Sequence, residues 1–400
     1  MKVAFIYADS AQEWNCSEWR MLAPADAMNR AREKDGADWD AKLIHISGFT
    51  DYLAPAIQDL IMPRDLIIVQ RNVISPEVIE IIRYWQGLGK PVAVDLDDMY
   101  QSLPWSNPAH AFWIQNSAKL DPPPLVSLER GLKQSNGLIS PNRNLLNDWS
   151  YVVKGFHLPN YARAEWWTSP STSSGSVQSH SDVKAAAGLS DRIVIGWGGS
   201  VSHYDSFWGS GIRDAAAMVC RKYPQVLWLI CGNDPRIYEQ LPVPYDQRKL
   251  QPGVPPSAWP KVVKLFDIGV APLHGYYDQR RSWIKGLEYG LAGVPWVGTD
   301  GEPYGDLASV GTLIDNNPDT WYESLCYTID NLEKEQALAE QRVSYYQQFF
   351  IDNQLEVYRK TYNGIIENFR MEHGRLPNVY YVNWEDRKQP SAMKGTVLSL

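Results

Sequence analysis

The sequence predicts an α/β protein with two doubly wound parallel sheets, each in its own domain. Short apolar runs alternate with helical patterns from Val3 to Asp95, and the same alternation returns from Ile193 to Val297. A segment rich in serine, glycine and proline, residues 168–182, separates the two series and has little to bury. At 400 residues, the chain also exceeds what one hydrophobic core usually supports, so two domains are expected.

The first series contains four apolar runs that predict buried strands. They are Val3 to Tyr7, Ala41 to Ile46, Asp65 to Gln70 and Pro91 to Asp95. Helices are predicted over residues 18–34, 76–87 and 125–136, and a short strand over residues 137–140. Ligands of such sheets bind beyond the carboxyl ends of the strands, where Asp97 and Asp98 follow the fourth run.

The second series opens with a strand that runs into a glycine-rich turn, Gly198, Gly199 and Ser200. Glycines at such a turn let backbone N–H groups approach a diphosphate without a Cβ clash, although an ordinary tight turn has the same sequence. Further strands are predicted over residues 226–231, 268–273 and 294–297, with helices over residues 213–222 and 283–292. Residues 319–350 and 355–369 are strongly helical, and residues 242–260 give no clear pattern.

Composition excludes some classes of function. The net charge of −8 argues against a general nucleic-acid binder, because phosphate contacts need clustered lysine and arginine. The 4 cysteines are scattered, which favours a reduced compartment. No signal-peptide pattern and no apolar run of membrane-spanning length occurs, so a soluble protein in the cytoplasm is expected. The 17 tryptophans and 22 tyrosines suit sugar or base stacking, but cores explain most of them.

The most informative stretch is FDIGVAPLHGYYDQRRSWIKGLEYGLAGVPWVGTD, residues 266–300. Its pattern D-x-x-x-S-x-x-K-x-x-E-Y-x-x-x-G-x-P-x-V, from Asp278 to Val297, resembles the donor-site segment of family 4-like glycosyltransferases (group 1) of phage and bacterial type. The pattern G-W-x-G-S-x-x-H, from Gly196 to His203, is similar to the same family. The resemblance covers most of residues 1–370. One departure is Arg280, which stands where the family motif has its first glutamate.

The resemblance implies the GT-B fold, in which two Rossmann-like domains face a cleft and C-terminal helices cross back onto the first domain. The expected acceptor domain spans residues 1–160 and the expected nucleotide-sugar domain spans residues 183–345. A linker over residues 161–182 joins them, the crossing helices occupy residues 346–370, and an extension occupies residues 371–400. No function is predicted for the extension.

The activity that the resemblance implies is transfer of a sugar from a nucleotide sugar, such as a UDP- or GDP-sugar, to an acceptor hydroxyl, with retention of configuration. No cofactor is expected beyond that donor. The residues implied to act at the donor sugar, diphosphate and ribose are His110, Lys285 and Glu288. The implied donor-binding residues are Gly198, Gly199, Ser200, His203, Asp278, Arg280, Arg281 and Ser282. The resemblance also implies that the base-binding loop and helix lie within residues 242–260, where the sequence does not fix which base is bound. The implied acceptor-side residues are Arg20, Arg71, Asp97 and Asp98. The acceptor (a glycan, a protein, a lipid-linked group or a modified nucleic acid) and the oligomeric state stay open.

Several alternatives stay open. The run Asp95-Leu96-Asp97-Asp98 has the carboxylates of a Mg²⁺ site, but no metal is expected because the GT-B fold typically needs none. Arg20 and His110 are also compatible with solvated or structural roles, and Lys285 with Glu288 is compatible with a pair on a surface helix. Other functional classes are a DNA-base-modifying glycosyltransferase, a sugar-nucleotide epimerase that uses Asp97, Asp98 and His110, and a non-catalytic binding protein.

Overall fold

The computed structural model describes residues 1–9, 16–168 and 179–373. Residues 169–178 of the predicted linker, nearly all of the predicted C-terminal extension and part of the loop after the first strand lie outside the described residues. Among the helices of these described ranges, none combines the length and the apolar content needed to cross a bilayer.

The first sheet has six parallel strands in the order β2-β1-β3-β4-β5-β6. The strands are β1 (Lys2–Tyr7), β2 (Asp40–His45), β3 (Leu66–Gln70), β4 (Val92–Asp95), β5 (Leu138–Ser140) and β6 (Gly155–His157). Every residue of β3 and β4 is buried, as expected for a parallel sheet with helices on both faces. The helices are α1 (Ala23–Asp35), α2 (Ile46–Thr50), α3 (Pro55–Ile61), α4 (Pro76–Gly87), α5 (Pro124–Gln134), α6 (Arg143–Asp148) and α7 (Ala164–Trp167).

The second sheet repeats this architecture with six parallel strands in the order β12-β11-β10-β7-β8-β9. The strands are β7 (Ile193–Gly198), β8 (Val226–Cys231), β9 (Arg248–Gln251), β10 (Ile268–Ala271), β11 (Trp296–Thr299) and β12 (Thr312–Ile314). Its helices are α8 (His180–Ala186), α9 (Tyr204–Gly209), α10 (Ile212–Lys222), α11 (Arg236–Gln240), α12 (Trp259–Val263), α13 (Gly275–Asp278), α14 (Ile284–Leu291), α15 (Pro318–Asp330) and α16 (Leu332–Gln347).

The last described helix, α17 (Leu355–His373), returns to the first sheet. Its Asn368 donates to the Asn136 carbonyl at 2.9 Å, and its Tyr362 ring meets Phe5 with centroids 6.4 Å apart. One apolar core is continuous from β1 through α17 to Tyr289 of α14. A second core lies in the first domain and also takes in Tyr277 of the second domain, and a third lies within the second domain. The expected GT-B architecture, including the crossing-back helix, is confirmed.

Three strands of the structure were not predicted, namely β6, β9 and β12. Each lies at or next to an edge of its sheet and has only three or four residues, too few for a periodic pattern. The predicted helix over residues 18–34 also differs, because it begins as one π-helical turn, Glu18–Leu22, before α1. The predicted helix over residues 319–350 is divided into α15 and α16 at Asn331.

Candidate active site

A cavity of about 660 Å³ lies between the two domains, at the carboxyl ends of both sheets. We call it the cleft cavity. First-domain side chains on its wall are Cys16, Trp19, Arg20, Asp97, Asp98 and Asn160. The second domain supplies residues 198–201 and 203, residues 231–235, residues 252–254, and Trp259, Leu273, Arg281, Ser282, Ile284, Lys285, Glu288 and Tyr304. The sequence-predicted residues on this wall are Arg20, Asp97, Asp98, Gly198, Gly199, Ser200, His203, Arg281, Ser282, Lys285 and Glu288.

Helix α14 places Lys285 and Glu288 on the wall because positions three apart share one helix face. The Lys285 ammonium lies 3.2 Å from Nε2 of His203. Burial lowers the pKa of His203 well below its usual range, and Arg281 and Lys285 lower it further. The imidazole is therefore neutral and accepts a hydrogen bond from Lys285. Burial, followed by Arg281, also lowers the pKa of Lys285, so this amine carries a poorly compensated charge.

Arg281 supplies the second cation of this wall. Its guanidinium donates to the Ser202 carbonyl at 3.0 Å and to the Ser202 hydroxyl at 2.9 Å, which ties the loop after β7 to the segment before α14. The carboxylate of Asp278 lies 3.7 Å away on its other side. Arg281 and Lys285 together make the second-domain wall strongly attractive to an anion near the beginning of α14.

Glu288 is only 5% exposed and accepts a hydrogen bond from Nε1 of Trp259 at 2.9 Å. Burial raises the pKa of its carboxyl, while Trp259 and Lys285 oppose the rise because both favour the ionised form. Nothing in the sequence pattern pointed to Trp259, which lies 29 positions from its partner. Glu288 is thus a buried carboxylate held at one end and presented to the cavity.

The glycine-rich turn has a packing role that the sequence argument missed. A Cβ atom at Gly198 would lie 2.3 Å from the Trp259 ring, and one at Gly199 would lie 2.8 Å from the ring of Trp197. Both positions therefore need glycine because indoles occupy the space that a side chain would fill. The close approach that these glycines permit is to neighbouring aromatic rings, while Gly199 and Ser200 still line the cleft cavity.

A further part of the wall was not predicted from the sequence. Residues 231–235 follow β8 and residues 252–254 follow β9, and the two loops are joined where Asn233 Oδ1 accepts from the Gly253 N–H at 2.9 Å. The signal available was Gly232-Asn233-Asp234 directly after an apolar run. For the second loop, the family resemblance implied only a base-binding loop within residues 242–260, and no individual residue was predicted because β9 itself has no strand pattern.

Two of the three charged residues on the first-domain wall, Arg20 and Asp98, are already bonded to other residues. Arg20 donates to both oxygens of Asp95, at 2.8 to 3.2 Å, and to Leu158 and Asn160. Asp98 accepts from the Tyr277 hydroxyl of the second domain at 2.6 Å, and burial raises the pKa of its carboxyl. In Asp97, by contrast, Oδ1 is buried and has no hydrogen-bond partner among the described residues. This oxygen can therefore accept a hydrogen bond from a ligand.

Four predicted residues do not line the cleft cavity. Arg280 donates to both oxygens of Asp148 in the first domain, at 2.7 and 3.0 Å, and its guanidinium lies 3.3 Å from the Tyr276 ring centroid. Arg71 is paired with Asp9, and Asp278 accepts from the His274 N–H at 2.7 Å. His110 directly precedes a π-helical turn, Ala111–Gln115. Ligand roles for Arg280, Arg71, Asp278 and His110 stay predictions to which this geometry adds no support.

The carboxylates that could form a Mg²⁺ site, Asp95, Asp97 and Asp98, lie at and directly after the end of β4. Asp95 is bonded by Arg20 and Asp98 by Tyr277, so two of the three carboxylates already have protein donors. Within residues 1–9, 16–168 and 179–373, no three His, Cys, Asp or Glu side chains are grouped so that they would share a metal ion.

Comparisons with solved structures agree with this architecture. HepE from Anabaena in complex with UDP and glucose superposes with a TM-score of 0.57 and 14% identity, over 90% of this chain and 100% of that chain. WaaG, a glycosyltransferase involved in lipopolysaccharide biosynthesis, superposes with a TM-score of 0.58 and 12% identity, over 89% of this chain and 98% of that chain. A putative UDP-N-acetylglucosamine 2-epimerase from Listeria monocytogenes superposes with a TM-score of 0.51 and 12% identity, over 94% of this chain and 97% of that chain.

No family model matches the sequence, and no curated protein matches it either. Likeness at such low identity shows the fold and leaves the activity to the site. The chain therefore has the two-domain GT-B fold, with a cation-lined cavity where its two sheets meet.

Proposed function

We propose that this protein is a glycosyltransferase that moves a sugar from a nucleotide-sugar donor to an acceptor hydroxyl. The observation that carries the proposal is the second-domain wall, where Lys285 and Glu288 of α14 and Arg281 of the preceding segment all line the cleft cavity. Two cations and a carboxylate match the diphosphate and ribose of a nucleotide sugar. The binding of UDP by HepE and the activity of WaaG, both with this fold, support it. The motif from Asp278 to Val297 supports a family 4-like origin.

The proposed donor lies along the second-domain wall. Its diphosphate contacts Arg281, Lys285 and the backbone of Gly199 and Ser200, and its ribose hydroxyls donate to Glu288. The base occupies the space between residues 231–235 and residues 252–254, which complete this side of the cavity. Leaving-group stabilisation is the chemical demand of the reaction, because negative charge develops on the diphosphate as the glycosidic bond breaks.

The proposed acceptor enters against the first-domain wall, where Asp97 Oδ1, which has no partner in the described part of the chain, can accept a hydrogen bond from a hydroxyl. The acidic side chains there favour a neutral, hydroxyl-rich acceptor over a polyanion such as DNA. Retention of configuration belongs to the proposal through the family resemblance. A cytoplasmic location also belongs to it, and the four free thiols support that location.

A thermal-shift screen tests the proposal. Wild type and Glu288→Ala are mixed with UDP-, GDP-, ADP-, CDP- and dTDP-sugars and with the free diphosphates. A ligand that binds only the folded state raises the melting temperature, by an amount that grows with its concentration relative to Kd. We expect one nucleotide class to stabilise wild type and to stabilise Glu288→Ala much less. If no nucleotide shifts wild type, the proposal fails.

An epimerase is the second candidate, since Asp97 and Asp98 line the cavity and a putative epimerase has the same fold. Product analysis separates the two. A transferase consumes the stabilising donor only slowly without an acceptor and forms free sugar of the same configuration, whereas an epimerase forms an epimeric sugar.

A further inference from the structure

We infer that Trp259 is a positioning residue for the donor, because its indole N–H fixes the orientation of the Glu288 carboxylate. The inference rests on the proposed function, since the ribose that Glu288 would bind belongs to the proposed donor. Trp259 lies outside both sequence motifs and acts through Glu288.

The geometry of the pair is that of a buried, directed hydrogen bond. Nε1 of Trp259 lies 2.9 Å from Oε2 of Glu288, and the two residues are 6% and 5% exposed. An indole N–H can only donate, so its partner must be an acceptor, and an ionised carboxylate is the strongest acceptor available. The bond engages one carboxylate oxygen and thereby limits rotation of the carboxylate plane.

Three elements hold the indole in this position. Trp259 begins α12, Glu288 belongs to α14, and Gly198 ends β7. A Cβ atom at Gly198 would lie 2.3 Å from Cη2 of Trp259, so any other residue there would push the ring away from Glu288. On another side, the Trp259 ring meets Phe266 edge to face with centroids 6.2 Å apart. The absence of a side chain at position 198 is thus part of the same arrangement.

The other titratable groups near Glu288 limit the choice of experiment. Lys285 lies on the same helix and favours the ionised carboxylate, while burial lowers its own pKa. Burial raises the pKa of the Cys231 thiol and of the Tyr304 phenol, so both stay neutral near neutral pH. His203 also stays neutral, because burial lowers its pKa. Glu288 and Lys285 are therefore the two groups to separate.

The first test measures melting temperature against pH, from about 5 to about 8, without ligand. The variants are wild type, Trp259→Phe and Trp296→Phe. Trp296 is a matched control, since its buried indole donates at 3.0 Å to the hydroxyl of Tyr346, whose pKa is raised to about 12. We expect the melting temperature of Trp259→Phe to fall further below that of wild type as pH rises, because the lost hydrogen-bond donor matters most when Glu288 is ionised. The difference in melting temperature between Trp296→Phe and wild type is expected to stay constant with pH.

Glu288→Gln isolates the responsible carboxyl. In this background, Trp259→Phe is expected to cost the same melting temperature at every pH, because glutamine does not titrate. In ¹⁵N-tryptophan-labelled wild type, we expect one indole resonance of the 17 tryptophans to titrate with pH and to stop titrating in Glu288→Gln. This measurement uses no tryptophan variant, so it stands even where Trp259→Phe folds poorly. The inference is overturned if the difference in melting temperature between Trp259→Phe and wild type does not change with pH, or if no indole resonance titrates.

The second test measures the affinity for UDP-glucose, a donor found in complex with HepE. We expect Trp259→Phe to raise the Kd about five- to tenfold and Trp296→Phe to change it less than about twofold. If the melting temperature of Trp259→Phe shows the expected dependence on pH but its affinity for UDP-glucose equals that of wild type, only the positioning role is overturned. Failure of wild type to bind UDP-glucose or any other nucleotide sugar overturns the proposed function together with that role. The two failures are distinguishable because the first test uses no ligand.

Discussion

The first-domain and second-domain walls of the cleft cavity both carry buried charged side chains, but these charges differ in what they already contact. Arg20 on the first-domain wall is bonded to a carboxylate, a carbonyl and an amide oxygen. Lys285 on the second-domain wall has two uncharged contacts, namely the hydrogen bond to the neutral imidazole of His203 and the ring of Trp197, whose centroid lies 5.6 Å from the ammonium. A cation that is fully bonded stabilises the fold, whereas a cation with a weak neutral partner gains most from an anionic ligand.

The largest expected effect is on the first-domain wall. Arg20→Ala leaves Asp95 buried without its partner, and we expect a loss of about 3 to 5 kcal/mol in the free energy of unfolding. Chemical denaturation measures it. Arg83→Ala is the control, because its pair with Glu80 is exposed on a helix surface and is expected to contribute less than about 0.5 kcal/mol. Equal losses for both variants would contradict the structural role of Arg20.

The next effect is on the second-domain wall. Lys285→Ala is expected to raise the Kd for UDP-glucose about ten- to a hundredfold, because a poorly compensated cation is removed from the diphosphate. The same change is expected to alter the free energy of unfolding by less than about 1 kcal/mol. Calorimetric titration and chemical denaturation measure the two quantities.

Lys184→Ala is the matched control for Lys285→Ala. Lys184 is also largely buried, but its ammonium lies 2.6 Å from the carboxylate of Asp267, away from the cleft cavity. We expect this variant to lose stability strongly and to keep the affinity of its folded fraction for UDP-glucose. A large loss of stability in Lys285→Ala, with little change in affinity, would reverse the comparison between the two walls.

The adjacent residues Arg280 and Arg281 show the same contrast between a cation that is bonded within the protein and a cation that faces the cleft cavity. Arg280→Ala breaks the contact with Asp148 and the stacking on Tyr276, and we expect a loss of about 1 to 2 kcal/mol in stability. Its Kd for UDP-glucose is expected to change less than about twofold, whereas Arg281→Ala is expected to raise the Kd about tenfold. If Arg280→Ala weakens binding as much as Arg281→Ala does, the sequence-based assignment of Arg280 to the donor is favoured over its role between domains.

These two arginines also show where the sequence was informative and where it was not. The motif identified the helix face that carries Lys285 and Glu288, because helical spacing fixes which side chains share a face. In the irregular segment before that helix, no periodicity tells which of Arg280 and Arg281 faces the cavity. The Arg280 side chain is held by its ion pair with Asp148, which lies 132 positions away in the sequence and belongs to the other domain. Contacts of this kind arise from packing of the domains and leave no local pattern.

The fold was more predictable than the site for the same reason. The continuous apolar runs of β3 and β8 predicted the ends of these strands to within a residue or two, because a strand buried on both faces requires such a run. The short edge strand β9 gave no pattern, so the resemblance placed a base-binding loop only within residues 242–260 and did not single out residues 252–254. Trp259 was missed because tertiary packing, including that against Gly198 and Phe266, directs its indole to Glu288 and leaves no local sequence pattern.

The smallest expected effect concerns pH and sharpens the comparison further. Because burial and Arg281 lower the pKa of Lys285, this amine loses its proton as pH rises through the lowered value, and the attraction for a diphosphate falls with it. We expect the affinity for UDP-glucose to fall by at most about tenfold per pH unit on the alkaline side, since one proton is involved. UDP-glucose is the suitable probe because its diphosphate is esterified at both ends and keeps its charge. Lys285→Arg is expected to bind with little pH dependence there, because a guanidinium stays charged. An unchanged alkaline decline in Lys285→Arg would assign the titration to another group and would remove Lys285 from the diphosphate.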